Sequence, residues 1–177
     1  MNLPNKLTVA RVLLVPVFVV LLVLHHPIAA AIVFVIASLT DLLDGYLARK
    51  HHLITNFGKF MDPIADKLLV LSALIVLCSM GKMHYLIVLI SVARELVISG
   101  VRMLSASKGT VIAAGIWGKL KTQTQMYGVI ARLLSLADAL AFFYVPSEIL
   151  LWASVVLSVY SCIDYVWKAR EVFSDGL

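Results

Sequence analysis

The chain has 177 residues, of which 62% are hydrophobic and only 14% charged, with a formal net charge of +5. A soluble domain carries roughly 25% charged residues, so a mean hydropathy of +0.99 excludes an ordinary water-soluble enzyme and predicts an integral membrane protein of one compact helical domain, residues 1–177. The positive balance suits anionic lipid headgroups and phosphorylated substrates. The basic residues sit at the ends of apolar segments instead of forming a stripe, which disfavours nucleic acid.

The polar opening, Met1 to Arg11, predicts a short interfacial stretch at Asn2 to Lys6, then a first span at Val12 to Leu24. A cleaved signal peptide ending at Ala29 to Ala31 is the rival reading. Arg11 interrupts the early apolar pattern and further spans follow, so an uncleaved span is simpler, with Arg11 snorkelling to the interface. His25, His26 and Pro27 mark a turn. The second span starts near Ile28 and ends near Ala48 to Lys50, and its carboxylates come only in its last turns. Lys50 to Phe60 reads as a polar connection. Asp62-Pro63 reads as a helix start, with aspartate as cap and proline in the first position. The alternative is a helix that begins earlier.

The third span runs to Met80, and Gly81 and Lys82 turn the chain. The fourth covers Tyr85 to Leu104 and carries Arg94, Glu95 and Arg102; Glu95 and Arg102 stack two turns apart, so an ion pair between them is expected. Ser105 to Gly118 reads as a loop. A fifth span is expected from Thr124 to Val145, with Arg132 and Asp138 inside it and no role evident for either. Pro146, Ser147 and Glu148 read as a turn, and the sixth span as Ile149 to Trp167. Cys78 and Cys162 lie in apolar runs and read as packing residues, not a disulfide. Six spans result, each near the roughly 17–25 residues a bilayer requires. Lys6, Arg11, Arg49, Lys50, Lys59, Lys108, Lys119, Lys121, Lys168 and Arg170 fall on one side and Lys82 on the other. The positive-inside rule then puts both termini in the cytoplasm, and the inner membrane is the expected location.

The segment from Asp41 to Asp66 holds four aspartates, Asp41, Asp44, Asp62 and Asp66, beside strongly apolar sequence. A charge deep in a bilayer costs at least ~2.5–3.5 kcal/mol, so retained carboxylates point to bound cations. Asp41 and Asp44 are three apart and Asp62 and Asp66 four apart, so each pair shares a helix face. Gly45 and Ala48 lie close by and are small enough to let a ligand near the backbone. Oxygen-only donors favour Mg²⁺ or Mn²⁺ over zinc.

These residues, with Arg49 and Gly58, match D-x2-D-G-x2-A-R-x8-G-x3-D-x3-D at every fixed position, and on them the chain resembles the CDP-alcohol phosphatidyltransferase family. The resemblance implies a six-helix membrane enzyme, working as a homodimer, that moves a phosphatidyl group from a CDP-linked lipid to an alcohol with two divalent metals. It implies Asp41, Asp44, Asp62 and Asp66 as metal ligands and Asp66 also as general base. Gly45, Ala48 and Gly58 would admit the nucleotide and Arg49 would hold a phosphate. It extends to Pro4 to Arg11, Ala93 to Glu95 and Gly118 to Thr122, and so to family members that use CDP-diacylglycerol and sn-glycerol 3-phosphate, with Asn5 and Thr8 at the donor site. Arg94, Arg102, Lys119 and Lys121 are the candidate cations for the acceptor phosphate. Other acceptors within the family are inositol phosphate, serine and phosphatidylglycerol. An ion transporter is the reading from another class, but it expects midplane carboxylates between repeats, and the chain shows no repeat.

Overall fold

A computed structural model describes residues 3–50, 56–108 and 115–170, with side chains at 5–40, 61, 64–108 and 115–170. The described residues are all-helical. Six α-helices follow one another: α1 (Leu3–Val23), α2 (Pro27–Lys50), α3 (Asn56–Ser79), α4 (Tyr85–Ser107), α5 (Ile116–Ser135) and α6 (Tyr144–Lys168), with a 3-10 helix, Asp138–Phe143, between the last two. Among the described residues, two stretches are long and apolar enough to cross a membrane on hydropathy alone, Asn5–Val23 and Asp138–Lys168.

Two turns have the same construction. His25 takes a left-handed φ of 59°, His26 N–H donates to Leu21 O at 2.9 Å and His25 N–H to Leu22 O at 3.1 Å. After α3, Gly81 has φ 67°, with Lys82 N–H on Leu77 O and Gly81 N–H on Cys78 O, both at 2.9 Å. This paired closure satisfies the last carbonyls of a helix and favours a residue without a Cβ, which the second turn has and the first lacks.

Large apolar residues cover the outward faces of the helices, and polar residues share the inward faces with the apolar core. Along α1, Asn5, Thr8, Arg11, Val15, Phe18 and Leu22 form one buried stripe, while Leu13, Val17, Val20 and Val23 stay exposed. On α2 the exposed stripe is Ile28, Ile32, Ile36 and Leu39. Along α6 the buried stripe is Ser147, Leu151, Ser154, Ser158, Ser161 and Tyr165, and Ile149, Val156 and Ile163 face outward. Apolar surface on this scale is stable only against lipid or protein, and serines that return their hydroxyls to the preceding turn, as Ser154 does to Leu151 O at 2.6 Å, let helix backbones approach closely. Gly128 is such a point: a Cβ there would lie 3.2 Å from the Leu151 backbone nitrogen.

Several expectations change. Arg11 does not snorkel; it is fully buried on the α1 stripe, because its position falls on the face that packs against α2 and α3. α1 begins at Leu3, so the opening from Asn5 on belongs to the helix. Asp62-Pro63 does not start α3, which begins at Asn56; Phe57, Phe60, Met61 and Ile64 already recur at helical spacing, so the alternative holds. Of the loop expected from Ser105 to Gly118, Ser105 to Ser107 belong to α4 and Ile116 to Gly118 to α5, and 109–114 lie outside the described residues. The expected fifth span breaks after Ser135, and Pro146 lies in the first turn of α6, where its missing N–H costs nothing. Glu95 and Arg102 do not pair. Arg102 instead stands over the Tyr165 ring, 5.7 Å from its centroid; two helical turns put ~10 Å between the two backbones. Both cysteines are free and half-buried.

Arg132 receives a place. It is buried, donates through Nη2 to Glu148 Oε1 and lies 4.3 Å from the centroid of the Tyr144 ring. This cluster ties α5 to the start of α6 across the 3-10 segment that Asp138 opens.

Candidate active site

Of the four aspartates, Asp41 and Asp44 lie on the C-terminal part of α2, and Asp62 and Asp66 on the N-terminal part of α3. Gly45, Ala48 and Arg49 fall on α2 and Gly58 on α3, and the side chains of these residues, of Asp41, of Asp44 and of Asp62 lie outside the described set. Asp66 is described, and it lines a cavity of about 390 Å³.

That cavity is built by five helices. Ser38 comes from α2, Asp66 and Lys67 from α3, Arg94, Glu95 and Arg102 from α4, and Gly118, Lys119 and Lys121 from α5, with Ser161, Asp164 and Tyr165 from α6. The four cations named from the sequence therefore meet in one space with Asp66. Helical spacing explains how. Lys121 is buried on the α5 stripe that continues through Gln125, Gly128 and Arg132, and Gln125 Nε2 donates to Ser91 Oγ at 2.8 Å, fixing α5 against α4. Arg94 lies on the same face of α4 as the buried Ser91 and Ile98, three and four residues away.

The charges are cross-linked. Glu95 Oε1 accepts from Arg94 Nη1 at 2.8 Å and from Lys121 Nζ at 3.0 Å; Glu95 Oε2 lies 3.6 Å from Lys67 Nζ. Lys67 also donates to Ser99 Oγ. Arg94 Nη2 reaches Ser161 Oγ only at 3.4 Å, and Arg94 Nε is buried with no hydrogen-bond partner among the described residues. Gly118 leaves room here: a Cβ on it would lie 3.1 Å from Arg94 Nη2, which would have to shift by a few tenths of an ångström. Asp164 accepts from Lys168 at 2.7 Å. Lys119 and Arg102 are the exposed members. Among the described lining residues, Lys67, Arg94, Arg102, Lys119 and Lys121 outnumber Asp66, Glu95 and Asp164, so the space suits an anion.

Asn5 and Thr8 are buried on α1 and are not among the residues lining this cavity. Lys67, Ser161, Asp164 and Tyr165 line it and were not picked from the sequence. Lys67 follows Asp66 directly, a usable signal. The α6 residues give none, because nothing in sequence says that α6 returns beside α4.

The chain matches the CDP-alcohol phosphatidyltransferase family model over residues 1–160. A Bacillus subtilis protein named CDP-diacylglycerol–glycerol-3-phosphate 3-phosphatidyltransferase is 40% identical, over 99% of this chain and 98% of its own. A Haemophilus influenzae protein of the same name is 35% identical, over 99% and 97%. A Mycobacterium tuberculosis protein named probable phosphatidylglycerophosphate synthase is 37% identical, over 95% and 81%. With the aspartate signature on α2 and α3 and a family match over nearly its whole length, the chain belongs to the CDP-alcohol phosphatidyltransferases.

Proposed function

We propose that this protein transfers the phosphatidyl group of CDP-diacylglycerol to sn-glycerol 3-phosphate, giving phosphatidylglycerophosphate and CMP. The relatives' names support the reading, and one observation carries it: Asp66 shares a cavity with Arg94, Arg102, Lys119 and Lys121. An acceptor that is itself a phosphate monoester needs fixed cations beside the proton acceptor; a neutral alcohol does not. The buried Arg94 Nε, still without an acceptor, is suited to a phosphate oxygen.

In this reading the acceptor hydroxyl gives its proton to Asp66 as its oxygen bonds to the phosphatidyl phosphorus. The bond from that phosphorus to the bridging oxygen breaks, and CMP leaves. General-base assistance of this kind is worth roughly 10²–10⁴-fold. The donor set fits divalent metal: four carboxylates, one pair on α2 and one on α3, offer only oxygen, as Mg²⁺ and Mn²⁺ require. Asp41, Asp44, Asp62 and Asp66 would hold two such ions, which when bound neutralise charge on the leaving phosphate. Gly45, Ala48, Gly58, Asn5 and Thr8 would serve the donor, and Arg49 its phosphate. All six helices span the inner membrane, both termini and the cavity face the cytoplasm, and the protein works as a homodimer.

Purified protein with labelled CDP-diacylglycerol and Mg²⁺ tests this against a panel of acceptors. CMP release is expected to be fastest with glycerol 3-phosphate, to stop with a chelator and to return with Mg²⁺ or Mn²⁺. Faster release with inositol phosphate, serine or phosphatidylglycerol would reassign the acceptor; no release with any would return the carboxylates to an ion-transport role.

A further inference from the structure

Glu95 is the one carboxylate on α4, and three cations from three helices gather on it. Oε1 takes Arg94 at 2.8 Å and Lys121 at 3.0 Å, and Oε2 lies 3.6 Å from Lys67. Lys121 is only 3% exposed, and a buried ammonium without a counter-charge is costly, so this carboxylate holds α5 to α4 at cavity depth. Its contact with Arg94 is also oriented. Glu95 takes Nη1, which leaves the Nε–Nη2 edge of the guanidinium. On that edge, Nε has no hydrogen-bond partner among the described residues and Nη2 has only a long contact to Ser161. The Nε–Nη2 edge is the planar fork that matches two oxygens of a phosphate. The absence of a side chain on Gly118 leaves Nη2 its room.

We propose that Glu95 is the positioning residue of the acceptor pocket: by holding Arg94 through Nη1, it presents the free fork of Arg94 to the acceptor's phosphate. The inference rests on the transfer reaction proposed above. Glu95 acts through Arg94 and takes no proton from the acceptor.

The test is steady-state kinetics on full-length protein in lipid-containing micelles, with glycerol 3-phosphate and CDP-diacylglycerol varied in turn. Wild-type turnover of glycerol 3-phosphate checks the underlying reaction separately; its absence would defeat that reading, whatever Glu95 does. With that turnover in hand, Glu95→Gln is expected to raise the acceptor KM about tenfold, or ~1.4 kcal/mol, and to move the donor KM by less than about twofold on the same scale. Acceptor binding in Glu95→Gln/Arg94→Gln is expected to be no weaker than in Arg94→Gln alone, because neighbours acting as a unit are not additive. An acceptor KM in Glu95→Gln that is unchanged or lower than wild type overturns the proposal, as do equal rises for donor and acceptor. If Glu95→Gln alone does not accumulate in membranes, the charge-balanced double variant decides: an acceptor KM equal to that of Arg94→Gln supports the proposal, and a further tenfold rise, again ~1.4 kcal/mol, overturns it.

Discussion

Arg94 illustrates how one side chain acquires a task from its surroundings. In sequence it is a cation inside an apolar run. In the structure one end of its guanidinium is held by Glu95, and the opposite edge stands beside a glycine whose Cβ would lie 3.1 Å away. Gly118→Ala therefore pushes Nη2 by a few tenths of an ångström. The expected result is a rise of about threefold in acceptor KM, less than ~1 kcal/mol, with a larger rise for Gly118→Val and an unchanged donor KM; an unchanged acceptor KM in both variants would remove Arg94 from the pocket. Asp66 is assigned a different task. Asp66→Asn is expected to abolish turnover while CDP-diacylglycerol still binds, since on the proposed assignment Asp41, Asp44 and Asp62 would remain to hold metal. Equilibrium binding of labelled donor checks this, and wild-type turnover in the variant would end the base assignment.

At the scale of the element, the junction of α5, the 3-10 helix and α6 depends on one asymmetric pair. Arg132 is 1% exposed and Glu148 30%. Removing the arginine leaves a carboxylate that water reaches, so Arg132→Ala should cost roughly 1.5–3 kcal/mol, the range of a hydrogen bond to a charged group. Removing the glutamate strands a buried guanidinium, so Glu148→Ala should cost more, roughly 3–5 kcal/mol. Denaturation in mixed micelles orders the two; equal losses would mean that the Tyr144 ring, not Glu148, stabilises Arg132. Glu148 lies on α6 thirteen residues before Ser161, about 20 Å along the axis at 1.5 Å per residue. The acceptor KM of folded Arg132→Ala should stay at the wild-type value.

At the scale of the molecule, the outward faces of α1, α2 and α6 carry exposed apolar residues such as Leu13, Ile32 and Val156, a surface compatible with hydrocarbon. In a cysteine-free background, Lys82→Cys is expected to react with an impermeant reagent in intact cells and Lys6→Cys only after permeabilisation. Both positions are exposed in the fold, so reactivity reports the side of the membrane. The opposite pattern would invert the orientation. The cavity draws on five helices, so its shape belongs to the whole bundle and not to the aspartate segment alone.

The sequence by itself determined the helical class, the turns at His25–Pro27 and Gly81–Lys82, and the aspartate pairs, because each is local: apolar period, turn chemistry and spacing act within a few residues. It also named Arg94, Arg102, Lys119 and Lys121, since cations inside or beside apolar runs stand out in composition. Tertiary structure alone decided their partners. Glu95 has a cation two turns along its own helix, yet pairs with its neighbour Arg94 and with Lys121 of α5, because α4 and α5 both pack on α6, which brings that lysine within side-chain reach while the helical rise keeps Arg102 away. The same holds for Arg11 and Arg132. Burial depends on which face of a helix meets another, and that is set by the assembled bundle, not by the residue's own segment.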